Sequence, residues 1–165
     1  MTVSPTIRRR LEAQGFCDLD ESTMTELASW LRWSPALCAI VMAVGVALRA
    51  PLVLWTLGAI ALLGALLPFH PFDLLYNHAV RYASGTQRLP HHGAQRRFAC
   101  ALATVWLAAT GWAFAAGATA LGFILGGSIV AVATLVSVTH ICIPSMIYNV
   151  LVRPRTLPAA DQSLR

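Results

Sequence analysis

TALGFILGGSIVAVATLVSVTHICI, the run from Thr119 to Ile143, carries no charged side chain and is long enough as a helix to cross a bilayer. Working outward, Phe98 to Ala116 is a second apolar run, joined to the first by a Gly117-Ala118 turn. Toward the amino terminus, Trp30 to Leu48 is apolar except for Arg32 near its start, and Arg49-Ala50-Pro51 makes a tight turn. Pro51 suits the first position of the next helix. That helix covers Leu52 to Leu67 and is closed by Pro68. At 1.5 Å per residue it spans roughly 24 Å against a hydrocarbon core of ~30 Å, so it must borrow flanking residues or thin the bilayer. Hydrophobic residues make up 57% of the 165-residue chain and charged residues 12%, which excludes an ordinary soluble domain.

The expected fold is an all-α membrane protein with four transmembrane helices arranged as two hairpins, plus short interfacial amphipathic helices. Residues 1–29 form a cytoplasmic amphipathic segment and 30–152 the transmembrane domain, with spans at 30–48, 52–67, 98–116 and 119–143 and a cytoplasmic loop at 68–97; 153–165 form a flexible tail. All twelve basic residues are arginine, and all but Arg49 fall before the first span, between the second and third, or after the fourth. By the positive-inside bias, both termini and the central loop are cytoplasmic. This clustering at span flanks, rather than on a soluble face, excludes nucleic acid as the partner of the +5 net charge. Arg8-Arg9-Arg10 leads into the mixed stretch Leu11 to Glu26, so the first span reads as a retained anchor rather than a signal peptide. Asp18 or Asp20 can cap an amphipathic helix carrying Leu27 and Leu31 on one side, lying along the inner membrane surface. Trp30, Trp33, Trp55 and Trp112 sit near span ends, whereas Trp106 is mid-span and packs between helices. Ala61 with Ala65 and Gly122 with Gly126 are small-residue pairs that let helices approach closely.

A short motif is written twice. Tyr76-Asn77-His78-Ala79-Val80-Arg81 recurs as Tyr148-Asn149-Val150-Leu151-Val152-Arg153, an offset of 72 residues that also sets His70 on Cys142. Each copy follows a hairpin, which implies a parallel internal repeat. Phe72 to Arg81 reads as a short interfacial helix opened by Pro71, with His70 beside its amino terminus; Met146 to Arg153 reads likewise, with Pro144 at its start and Cys142 before it. Tyr76, Asn77, Arg81, Arg96, Arg97, Tyr148, Asn149 and Arg153 form the expected lipid or partner face, with tyrosines at headgroup level and arginines on lipid phosphate.

Cys142 and His70 are the candidate catalytic residues. A cysteine at the carboxyl end of a helix stays a thiol, whereas one at the amino end of the next is drawn toward thiolate; the position of the break decides between them. Cys142-Ile143-Pro144-Ser145 lacks a second cysteine, leaving Cys100 or Cys17 as disulfide partner. Packed, inert cysteine is the competing reading. His70, His140 and Cys142, with Asp73 or His78, are the candidate ligands of a metal at the inner face, although His140 and Cys142 are spaced too closely to share one helix face. His91-His92, between Pro90 and Gly93, reads as a solvated loop. No ionisable group lies deep within a span, which argues against an ion pump. Catalytic triads, phosphate-cradling loops and paired carboxylates are absent from the sequence.

Leu66-Leu67-Pro68-Phe69-His70-Pro71-Phe72-Asp73, Arg96-Arg97-Phe98-Ala99-Cys100 and His140-Ile141-Cys142-Ile143-Pro144-Ser145 resemble a bacterial family of small membrane proteins, the one labelled domain of unknown function forty-three ninety-five. The resemblance covers roughly residues 25 to 152. It implies the inner membrane of a bacterium, crossed several times, and no assigned activity. Some relatives carry two nearby cysteines late in the chain, where Ser145 stands here. Three functions fit: a structural or accessory membrane protein with a basic cytoplasmic face, not an enzyme; a membrane thiol-redox or sulfur-handling protein using Cys142 with His70; and a small-solute carrier. The expected partners are anionic lipid headgroups, with a protein partner or a homo-oligomer besides, and no cofactor other than the inner-face metal.

Overall fold

The computed structural model describes residues 3–16 and 19–152, and among these every regular element is helical. Two short helices lead, α1 (Pro5–Ala13) and α2 (Glu21–Leu27). Asp20 caps α2, its carboxylate accepting from the Thr23 N–H at 3.2 Å. Asp18 and Cys17 lie outside the described residues, as do Arg153 and the tail 153–165. A 3₁₀ turn at Trp30–Arg32 runs into α3 (Trp33–Ala47), and Pro51 opens α4 (Pro51–Leu66). After Leu66 the path bends by 83° into a second helical stretch, Pro71–Ser84. This stretch comprises α5 (Pro71–Leu75), a π-helical turn (Tyr76–Val80) and α6 (Arg81–Ser84). Then follow α7 (Ala94–Ala115), α8 (Thr119–Thr139) and α9 (Ile143–Val152).

Trp30–Ala47, Ala94–Ala115 and Thr119–Thr139 are each long and apolar enough to cross a membrane, and α4 with its bent continuation adds up to one more. Large apolar side chains such as Ile40, Leu52, Val105 and Ile124 face outward, as a lipid solvent requires. The fold is that of a multi-pass membrane protein.

Two boundaries differ from the expectation. The last span ends at Thr139 rather than Ile143, because His140 takes a left-handed conformation at φ 58° and closes the helix. The carbonyls left open there are claimed by the amino-terminal helix. Arg10 donates to the Thr139 carbonyl at 2.7 Å and the Gln14 amide to the His140 carbonyl at 2.7 Å. Pro144 therefore breaks nothing; it sits in the first turn of α9. The third long helix starts at Ala94, ahead of Phe98, with Gln95 and Arg96 buried in its first turn.

Helix α4 lies chiefly along α7 and α3 along α8, with α3–α4 and α7–α8 contacts completing the set. Met42, Val46, Leu54, Leu57, Leu107 and Ile129 form the core between them. A second apolar core joins Leu11, Phe16, Met24, Leu27 and Leu31 to Tyr76 and Leu89. The amino-terminal helices thus press apolar side chains on the rest of the protein. Gly126 is where α8 meets α3: a Cβ there would stand 2.5 Å from Val46 Cγ2, whereas one at Gly127 would meet open space.

This pair makes a matched test of packing. Gly126→Ala is expected to destabilise the fold by about 1–3 kcal/mol through overpacking. Gly127→Ala should be neutral or stabilising by up to about 1 kcal/mol, from helix propensity alone. Thermal unfolding of both variants in the same detergent measures the difference.

Candidate functional site

The bend after α4 puts a histidine at the inner wall of the helix set. His70 has extended backbone and caps α5, its Nδ1 accepting the Phe72 N–H at 3.3 Å. With Nδ1 an acceptor, the ring's proton belongs on Nε2. Nε2 lies 4.0 Å from Cys38 Sγ on α3. Gly64 makes room for this arrangement: a Cβ there would stand 2.7 Å from His70 Cδ2 and 3.3 Å from Cys100 Sγ. Burial, helped by the charges of Arg96 and His92 and only partly opposed by Asp73, pushes the His70 pKa down to about 4. The ring is neutral at pH 7.

Cys142 is buried and immediately precedes α9, since α8 has already ended at Thr139. The break therefore falls before the cysteine, which belongs to the amino end of α9. Ser145 Oγ, fully buried one turn on, donates toward Cys142 Sγ at 3.1 Å. Cys38, Cys100, Cys142 and His70 all line one cavity of about 450 Å³. The thiols come from α3, α7 and the approach to α9, so three separate parts of the chain converge on it.

Behind His70 is a buried polar set. His92 Nε2 donates to Asp73 Oδ2 at 2.5 Å, and Ser34 donates to the other carboxylate oxygen. Burial opposes ionisation of Asp73, but the His92 hydrogen bond, the nearby Arg96 charge and the Ser34 hydroxyl outweigh it and hold the carboxyl down to about 2. His92 is pushed down by burial and by Arg96, with Asp73 offsetting only part. The pair is thus a neutral imidazole donating to a carboxylate. Its countercharge is Arg96, whose guanidinium donates to the Leu31 carbonyl at 3.3 Å and lies over the Phe16 ring at 5.3 Å.

A match to the family described as Domain of unknown function (DUF4395) covers residues 28–153. The chain belongs to this family. No curated protein and no solved structure matches it. The family stretch contains all three cavity thiols, His70 and the Asp73–His92–Arg96 set, whereas α1 and α2 precede it.

Within this family fold the expected residues separate into groups. His140 is engaged elsewhere, its Nε2 accepting from Arg32 Nε at 2.7 Å. Burial and the charges of Arg32, Arg10 and Arg96 lower its pKa to about 4. Among the described residues no group of three or more His, Cys, Asp or Glu stands close enough to hold a metal ion. The lipid or partner face is largely consumed by the fold. Tyr76 is buried with its hydroxyl 2.5 Å from Thr86 Oγ1, and Asn77 accepts the Leu89 N–H at 2.8 Å. Asn149 donates to the Ala13 carbonyl at 2.8 Å, and Tyr148 packs on Phe98. Arg96 is buried, and Arg97 donates to the Ala65 and Leu66 carbonyls at the end of α4. Arg81 lies over the Tyr82 ring at the surface. His78 is exposed and bonds only the Leu74 carbonyl.

Cys38 and His92 went unnoticed in the sequence, where His92 reads as a solvated loop residue. Its burial follows from the loop closing over Asp73, with the His92 N–H donating to the Pro68 carbonyl at 2.7 Å. Arg96 carried a usable signal. It is four, seven and eleven residues ahead of Cys100, Ala103 and Leu107, one face of α7.

Because His70 and His140 have folded pKa values near 4, below the ordinary 6.5, the unfolded chain binds more protons between those limits. Stability is therefore expected to fall as pH drops from about 6.5 to about 4. Unfolding temperatures in detergent across that window should show the fall, with a shallower slope for His70→Gln. A flat profile would contradict neutral, buried histidines.

Proposed function

We propose that this protein crosses the membrane four times and works through the thiols of its internal cavity, as a membrane thiol-redox or sulfur-handling protein. One observation carries the reading: three cysteines from separate parts of the chain, and a histidine with its N–H directed at sulfur, line the same cavity. Chance packing of inert cysteines does not call for such convergence. His70 enters as a hydrogen-bond donor, able to stabilise a thiolate at Cys38; it is not a base, because Nε2 already holds its proton.

The topology is supported by the way the ends meet. Asn149 reaches Ala13, and Gln87 N–H donates to Glu26 at 2.8 Å, so α9 meets α1 and the central loop meets α2. That suits an even number of crossings, and the arginine bias makes this side cytoplasmic. An accessory role through a basic face is less favoured, since Arg96 and Arg97 are engaged within the fold. A carrier for polar solutes would need a polar cavity, and this one is walled mainly by apolar side chains.

In a Cys17→Ser background, diamide at pH 7 is expected to convert two cavity thiols to an intramolecular disulfide, mapped by mass spectrometry and reversed by dithiothreitol. Cys100→Ser should abolish it. Cavity thiols that all stay free after exhaustive diamide treatment would overturn the thiol reading.

A further inference from the structure

The cavity is lined by two kinds of residue. Leu102 and Trp106 of α7 and Ile143 and Ile147 of α9 form part of its wall, and each is also 38–43% exposed on the outer surface. In a bilayer that surface faces acyl chains, so the cavity communicates with lipid. The same cavity is lined by the three thiols, His70 and Arg96. The polar groups there offer protons: the His70 Nε2–H, the Arg96 guanidinium and the thiol S–H groups. A complementary ligand has an apolar body, hydrogen-bond-accepting oxygens at one end, and no charge to carry through the bilayer. A volume of about 450 Å³ suits one such molecule.

Resting on the thiol reading, we propose that the cavity binds a lipid-soluble quinone, which enters from the lipid-facing side and accepts electrons from two of the cavity thiols. The quinone carbonyls satisfy the geometry as acceptors, and its ring system matches the apolar wall. Cys100 lines the cavity together with Cys38 and Cys142 and is the thiol assigned as common to the exchange. In the reaction two S–H bonds break and one S–S bond forms. The two protons and two electrons released pass to the quinone, whose two carbonyl oxygens become the hydroxyls of the quinol. A phospholipid tail seated in the same space would need none of the donors that line it.

The test uses reduced full-length protein in phosphatidylcholine nanodiscs under argon, with decylubiquinone as probe. Expected are one quinol formed per chain, read by absorbance, and a cavity disulfide, read by mass spectrometry. Ala133→Trp, which fills the cavity, and Ile147→Trp, which blocks its mouth from the exposed side, should each slow quinone-driven oxidation at least tenfold while diamide still oxidises the thiols. If diamide forms the disulfide and decylubiquinone does not, the quinone proposal falls and the thiol reading stands. If neither reagent forms it, both fall. Equal quinone rates in the wild type and both folded variants would also overturn the cavity as the seat of reaction.

Discussion

The buried carboxylate of Asp73 is the constraint from which the rest of the inner face follows. A charge this far from water is tolerable only with full hydrogen-bonding partners and a countercharge. Ser34 on α3, His92 in the segment before α7 and the charge of Arg96 supply them. These partners come from two distant parts of the sequence, one on either side of Asp73, so meeting its needs ties the bent segment after α4 to the first and third long helices. The tie holds α5 in place, and α5 in turn holds His70, whose ring is oriented by the Phe72 N–H. Cys38 and Cys100 then have a fixed polar neighbour in an otherwise apolar wall. Removing one partner of such a set leaves the others unpaired, which is why the set behaves as a unit.

The amino-terminal helices act as a lid on this end of the molecule. Their polar side chains meet the open carbonyls at the end of α8, through Arg10 and Gln14, while their apolar side chains build a core with Tyr76 and Leu89. Arg32 completes the closure by donating to His140. The larger cavity is walled mainly by apolar side chains, and a second pocket, between α1 and the segment His140 to Met146, also reaches Cys142. An apolar route to sulfur suits uncharged, membrane-soluble reactants better than aqueous ones. The repeated Tyr-Asn motif serves this same closure. Asn77 and Asn149 each bond the backbone of another segment, Leu89 and Ala13.

Much was legible without coordinates. Uncharged runs located the long helices, because a helix in lipid must satisfy its backbone internally and cannot carry unpaired charge. Pro51 and Pro71 marked helix starts, and Asp20 marked a cap, since these depend on local backbone chemistry. The placement of His70 and Cys142 before the two short terminal helices was local in the same sense. The end of α8 was not, because His140 adopts its left-handed turn while donors from α1, more than a hundred residues away, take up the freed carbonyls.

The sequence by itself determined an apolar, multi-helix chain with arginines at its flanks, because burial in lipid and backbone hydrogen bonding act on neighbouring residues. Only the tertiary structure decided which polar side chains turn inward. Asp73, His92 and Arg96 are side chains that water ordinarily solvates, and each is buried because its partner arrives from another segment. The same holds for sulfur. Cys38, Cys100 and Cys142 are scattered in sequence, and become one site only where α3, α7 and α9 meet, since a cavity is a property of the packing between helices and of no helix alone.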